Sequence, residues 1–67
     1  MMKNEIGMNA GRIWQHLSTK GESTFKEIKS EIKLKDNEIY LALGWLAREN
    51  NIFFFDKGEK QMIALYY

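Results

Sequence analysis

Cysteine is absent from this chain of 67 residues. That excludes a disulfide or a thiolate metal site as a supplement to the core, and it fits a reducing compartment. A chain of this size buries only about 60% of the surface its unfolded form exposes. With no staple available, dimerisation is one remaining way to add buried area. An excess of charge of one sign is also missing: ten basic residues face nine acidic ones, for a net charge of +1. Global electrostatics therefore make no case for nucleic acid, where a strong basic surplus is the usual footprint. No apolar run approaches about 18 residues and there is no signal-peptide pattern, which points to a soluble, cytoplasmic protein without a membrane segment. No repeat, low-complexity segment or linker divides the sequence, so residues 1–67 are expected to form a single domain.

Catalytic equipment is equally scarce. The sole histidine, His16, is expected on the polar, exposed side of the first helix. With no second histidine and no cysteine, a transition-metal cluster lacks ligands, so neither a metal nor a cofactor is expected. Glu27 and Glu31 share a helix side, but a lone pair at that spacing without a pocket is solvated surface. Gly58 falls in a turn cluster and forms no phosphate loop. A chain this short can hardly enclose a substrate cleft of several hundred Å³ and keep its core, roughly the volume such clefts need. The protein is expected not to be an enzyme, and no small-molecule substrate is inferred.

What is present is organised around Lys35 to Ile52, KDNEIYLALGWLARENNI. The spacing predicts one helix of about four turns. Ile39, Ala42, Leu43, Leu46, Ala47 and Asn50 fall on one face, the pattern of a core-facing helix. The opposite face carries Asn37, Leu41, Gly44, Trp45 and Arg48, with Tyr40 on the flank. A solvent-facing surface is mostly polar, so Tyr40, Leu41 and Trp45 there ask for a second partner.

Before it, Asn4 is a candidate N-cap after a frayed start at Met1 to Asn4. Ile6, Ala10, Ile13 and Leu17 form a helical stripe widened by Gly7 and Trp14. Gly7 and Gly11 are four apart and imply tight packing of another backbone against the first helix. Gly21 is a natural left-handed stop. Thr24 to Glu27 fits a capping box, which opens a second helix with Phe25, Ile28 and Ile32 on one face. The piece before it, Glu22 to Thr24, could add a short edge strand to a later sheet. Lys26, Lys29 and Lys33 line one flank of this helix, while Glu27 and Glu31 line another. Lys29–Lys33 and Glu27–Glu31 are like-charge pairs, each costing a few tenths of a kcal/mol. Leu34, Lys35 and Asp36 make a tight connection, with Asp36 as the next N-cap, or Lys35 if Glu38 closes a box. Two short helices, a three-residue turn and a longer helix make a helix-turn-helix pattern.

The tail changes period. Ile52 to Phe55 and Gln61 to Tyr67 read as two strands joined by a turn cluster, Asp56 to Lys60, with Gly58 at a positive φ. Both faces of the first strand are apolar: Ile52 and Phe54 on one, Phe53 and Phe55 on the other. One set cannot reach the domain's own core. The hairpin and the central helix thus make the same demand, and two copies packed together would meet both. A homodimer is expected, with Leu41, Trp45, Phe53, Phe55 and Tyr66 as its interface candidates. The other option is an exposed patch that serves another protein.

Helix, short strand, helix, turn, helix and hairpin resemble a winged helix-turn-helix domain of the α+β class. AGRIWQHL (Ala10 to Leu17) and LALGWLAREN (Leu41 to Asn50) are similar to a family of small, stand-alone bacterial winged-helix proteins of unknown function. Its members are similar in an Ala-Gly-x-x-Trp first helix and an Ala-Leu-Gly-Trp-Leu-x-Arg-Glu third helix. The resemblance runs from about Ile6 to Leu65. It implies a DNA-binding type of fold, with the third helix as recognition helix and the hairpin as wing. One departure is Lys35, where a Ser or Thr cap is expected, which leaves the register of that cap open.

The implied partner is double-stranded DNA, and the residues that could meet it are few. Asn37 could read adenine, Tyr40 could touch a phosphate or a thymine methyl, and Arg48 lies on the same outward face. Lys26, Lys29, Lys33, Lys35, Lys57 and Lys60 form the best electrostatic set. Leu41 and Trp45 are poor base readers and good packing residues. Two readings stand: a DNA-binding regulator acting as a homodimer, or a winged helix used as a dimerisation or protein-interaction module. Trp45 separates them, since direct readout wants it exposed and an interface wants it buried.

Overall fold

The apolar stripe at Ala10, Ile13 and Leu17 is what anchors the first helix, and all three side chains are buried. The computed structural model describes the backbone of residues 2–66 and the side chains of residues 4–66. Helix α1 spans Met2–Lys20. Asn4 therefore lies inside the helix and cannot cap it, a correction to the expected start; Met1 is outside the described residues. The helix stops where expected. Gly21 adopts φ +84°, and its N–H donates to the Leu17 carbonyl at 2.9 Å. The expected tight packing at Gly7 and Gly11 does not occur, since a Cβ at either would meet nothing within 4 Å. Trp14 lies at the surface rather than widening the buried stripe.

Strand β1 (Ser23–Thr24) leads directly into α2 (Phe25–Ile32). The capping box forms in both directions. The Glu27 N–H donates to Thr24 Oγ1 at 3.1 Å, and the Thr24 N–H donates to Glu27 Oε1 at 2.7 Å. Ile28 and Ile32 are buried. Lys33 caps the other end in the left-handed region, φ 63°. It has left the helix, so the expected Lys29–Lys33 helical pair does not arise. Arg12 reaches across from α1 and donates from Nη2 to the Ile32 carbonyl at 2.8 Å, satisfying an end that would otherwise lack a partner.

Helix α3 runs Asp36–Arg48, with Lys35 as its N-cap and Asp36 as its first residue. The Lys35 N–H donates to Glu38 Oε1 at 2.9 Å, one half of a capping box. A lysine ammonium has no acceptor to return the other half. The Glu38 N–H turns instead to Asn37 Oδ1 at 3.0 Å. Ile39, Ala42, Leu43 and Leu46 are buried, as the spacing predicts. Asn50 is not on that face. It sits beyond the helix at φ 59°, where its N–H donates to Ala47 O (3.1 Å) while the Asn51 N–H donates to Leu46 O (2.9 Å). These two bonds make a Schellman stop with asparagine in the left-handed position.

The tail forms β2 (Ile52–Lys57) and β3 (Lys60–Leu65). They pair antiparallel from Ile52↔Leu65 to Lys57↔Lys60. The turn is thus only Gly58 and Glu59, tighter than the expected five-residue cluster. A positive φ at Gly58 (+63°) and not at Glu59 fits the turn that suits twisted hairpins. The second strand ends at Leu65, with Tyr66 beyond it and Tyr67 outside the described residues. β1 pairs with the other side of β3, Ser23↔Ile63 and Thr24↔Met62, so the strand order is β1-β3-β2. Ile52, Ile63 and Leu65 join the helices in one core with Ile13, Leu17, Ile28 and Ile39. His16 is half-buried rather than exposed, with Nε2 3.1 Å from Ser23 Oγ, which itself donates to the Gly21 carbonyl at 3.0 Å. It ties α1 to the β1 corner.

Candidate nucleic-acid interface

A tight connection between α2 and α3 leaves one side of α3 uncovered. On that side Asn37, Tyr40, Leu41, Gly44 and Arg48 are exposed, Tyr40 at 62% and Leu41 at 48%. Trp45 is different. It is half-buried and packs against the chain's own core. A flank position about 110° from the centre of the buried stripe lets a large ring fold back onto it, as helical geometry allows. Part of the second demand read from this helix is therefore met within the chain.

Between the start of α2, the Tyr40 side of α3 and the hairpin lies an open groove of about 960 Å³. Its floor is aromatic. Phe25 and Tyr40 stack with ring centroids 4.6 Å apart and planes 20° from parallel, and Phe54 lines the groove from β2. Lys26, Lys60 and Gln61 lie around it with Glu27. The Glu27 carboxyl is held below its ordinary range, first by the Thr24 backbone N–H and then by the Thr24 hydroxyl, with Lys60 and His16 adding smaller favourable fields. It stays an anion within reach of the Lys60 charge, which lowers the positive potential there.

Of the residues singled out for DNA, the groove brings together Lys26, Tyr40 and Lys60. Lys29 is engaged with Asp36 in an exposed ion pair, and Lys35 and Asn37 stand at the same end of α3, where Asn37 is occupied with its own helix cap. Lys33 is exposed at the end of α2. Arg48 lies at the far end of α3. Lys57 is drawn away to Glu22, 3.6 Å distant. Exposed pairs of this kind hold their partners weakly and yield to a competing phosphate.

Of the interface candidates, Phe53, Phe55 and Tyr66 cluster on the sheet face turned away from the helices. Phe53 stacks with Phe55 at 5.6 Å and meets Tyr66 edge-on at 5.2 Å. Leu41 and Trp45 are on α3 and do not join them within the chain. Three contributors escaped the sequence: Phe25 as the stacking partner of Tyr40, Gln61 at the groove, and Arg12 at the end of α2. The first had a signal, because a residue just after a capping threonine starts the helix beside whatever the next helix presents.

The model of a winged helix-turn-helix domain family, DUF2582, matches residues 1–65. The chain belongs to this family. A relative, an uncharacterised protein (MJ1608) from Methanocaldococcus jannaschii, is 36% identical over 67 aligned positions covering 96% of this chain and 94% of its own. The match spans nearly the full length of both, so the DUF2582 architecture is shared from first helix to hairpin. In that architecture α2 and α3 are the helix-turn-helix and the hairpin is the wing. Among the described residues no helix is long and apolar enough to cross a membrane.

Proposed function

We propose that this DUF2582 protein binds double-stranded DNA as a homodimeric, regulator-type winged helix, with α3 presented to the major groove and the hairpin beside it. The observation that carries the reading is the open outer face of α3. Asn37, Tyr40 and Arg48 are exposed there, while Trp45, the residue least suited to base readout, is folded back on the core. Arg48 has the side chain for base edges, Asn37 keeps its Nδ2 donors for the same use while its Oδ1 accepts the Glu38 N–H, and Tyr40 suits a phosphate or a methyl group. Lys26, Lys29, Lys33, Lys35, Lys57 and Lys60 supply the phosphate contacts. With a net charge of +1, affinity is modest and strongly salt-dependent, each phosphate contact adding about 0.9 to the log–log slope.

The hairpin candidates Phe53, Phe55 and Tyr66 serve the dimer, with Leu41 and Trp45 demoted because they belong to the helix that must stay free. One observation favours a second reading, a protein-interaction module: the groove floor of Phe25, Tyr40 and Phe54 is aromatic rather than basic. Anisotropy titrations of random-sequence duplex across a salt series decide between them. Arg48→Glu is expected to weaken binding about ten-fold, the equivalent of roughly 1.4 kcal/mol, and to flatten the salt slope. No binding by the wild-type protein at low salt, or binding indifferent to Arg48→Glu, would reject DNA readout by α3.

A further inference from the structure

The groove between α2, α3 and the hairpin has a volume of about 960 Å³, at the upper end of the roughly 300–1,000 Å³ that small-ligand sites occupy. It is open to solvent, so a space of this size leaves the packed core intact. Gly44 keeps it open. This glycine sits in the middle of α3, Asp36–Arg48, where it weakens the helix relative to alanine. No close-packed neighbour calls for it, since a Cβ at 44 would meet nothing within 4 Å. Gly44 lines the groove beside Tyr40 and Ala47, and a larger side chain there would stand in the empty space.

The lining has flat apolar surface and a small excess of positive charge. Phe25 and Tyr40 are stacked, and Tyr40 and Phe54 are both exposed. Uncovered ring faces of this kind are what another flat ring would cover. Lys26 and Lys60 line the same space. Among the described residues neither is in an ion pair, whereas Lys29 and Lys57 are paired with Asp36 and Glu22. The carboxylate on the lining is Glu27, whose Oε1 already accepts the Thr24 N–H. Two ammonium groups against one carboxylate leave a single positive charge, complementary to a monoanion. Gln61 adds a neutral donor and acceptor.

The walls select among occupants. They are helix surfaces and one face of the sheet, which offer side chains but no row of free backbone groups for an extended peptide. A duplex is too wide to enter, and its phosphates would meet only the exposed lysines at the rim. A compound of one or two fused rings fits the space.

We infer that this groove is a ligand site for a small, flat aromatic monoanion such as an aryl carboxylate, its ring laid against the aromatic lining and its anionic group met by Lys26 and Lys60. Tyr40, Lys26 and Lys60 also belong to the DNA-contacting set, so a bound ligand competes with duplex for the same side chains and acts as a releasing effector. That competition rests on the DNA reading proposed above; the ligand site does not.

The probe is 2-naphthoate, titrated into isotope-labelled protein and followed by amide chemical shifts. Saturable shifts are expected, concentrated at Phe25, Tyr40, Gly44 and Gln61. The amide 2-naphthamide keeps the rings and loses the charge, and decahydro-2-naphthoate keeps the charge and loses the flat rings. Each is expected to bind about ten-fold more weakly. Gly44→Leu puts a better helix former into the groove, so it is expected to melt no lower than wild type and to bind 2-naphthoate about ten-fold more weakly. Shifts that do not saturate, that scatter over the surface, or that persist unchanged in Gly44→Leu overturn the site. Equal affinity for the amide overturns the anion preference, and equal affinity for the saturated acid overturns ring stacking. In the anisotropy titration, saturating 2-naphthoate is expected to weaken duplex binding several-fold against a matched concentration of acetate. Unchanged duplex binding with the groove filled overturns the competition. Wild-type protein that binds no duplex overturns the DNA reading and the competition together, while the shift titration still decides the site.

Discussion

The helical half and the hairpin of this protein end in opposite conditions, and the hairpin strands are the more apolar of the two. In the helices nearly every loose end is tied locally. Thr24 and Glu27 exchange hydrogen bonds at the start of α2, Arg12 takes a carbonyl at its end, and Asn50 and Asn51 close α3. Even Trp45 finds cover inside the chain. The hairpin is tied on one side of one strand only. Its inner residues Ile52, Ile63 and Leu65 are buried, whereas Phe53, Phe54 and Tyr66 remain in solvent. The difference follows from geometry. A helix satisfies its backbone internally and needs one covered stripe, but a strand needs a neighbour on each edge and a cover on each apolar face. The helices of this chain cover only part of one face of the three short strands, since Phe54 on the helix side is itself 46% exposed.

The comparison breaks most sharply at Ile39. Its side chain is fully buried at the centre of the core, and Ile39→Ala is expected to destabilise the fold by about 2–5 kcal/mol. That is a large part of the stability available to a domain this small, roughly 5 kcal/mol or less, so the variant should unfold at moderate temperature or low urea. Phe53→Ala removes a larger side chain from the hairpin and is expected to change monomer stability by no more than about 1 kcal/mol, while weakening self-association. Urea melts at a dilution where the chain is monomeric measure both. Equal losses for the two variants would show that the outer hairpin face is part of the folding core after all.

The same contrast explains what could be read in advance. Helix periodicity located Ile13, Leu17, Ile28, Ile39 and Leu46, because burial on one stripe is a local property of spacing. The capping box at Thr24 was legible for the same reason: both partners lie three residues apart. The two apolar faces of β2 were legible too, from alternation alone. Features that depend on distant partners were not. The turn back of Trp45 onto the core depends on the rotamer and the neighbours of one ring. The Phe25–Tyr40 stack, at 4.6 Å, depends on how α2 docks beside α3. Asn50 matched the helical pattern as a letter, but its place in the left-handed region (φ 59°) came from the chain's need to stop and turn into β2. The glycines misled because small residues at a four-residue spacing signal close approach only when another backbone is there, and at Gly7 and Gly11 none is.

A smaller effect sharpens the claim that the helical half satisfies itself. Thr24 closes α2 and also belongs to β1, pairing with Met62. Thr24→Ala removes the hydroxyl that accepts the Glu27 N–H and is expected to cost about 1 kcal/mol. Thr24→Ser keeps the oxygen and should recover most of it. If serine fails to rescue, the threonine matters through its methyl group in the sheet, and the cap is incidental. Thermal melts of the two variants beside wild type read this out.

The smallest expected effect is a pH dependence from the same corner. The Glu27 carboxyl titrates below its ordinary value because the Thr24 N–H and hydroxyl favour its charged form. Its folded pKa is thus depressed relative to the unfolded chain, so the folded state binds the proton less readily. The contribution to stability is fully present above the unfolded value and is lost as pH falls through the folded one. Glu27→Gln keeps an acceptor for the Thr24 N–H and abolishes the titration. The melting temperature of wild type is expected to exceed that of the variant slightly at neutral pH, and the gap should close in the acid range below the ordinary glutamate value. The carboxylate is exposed, so added salt should narrow the gap as well. Identical melting of wild type and variant at every pH would mean that the box holds α2 by shape alone. In that case the Glu27 anion could be neutralised at no cost to the fold, leaving a more basic groove beside α3 and tighter duplex binding in the Glu27→Gln protein.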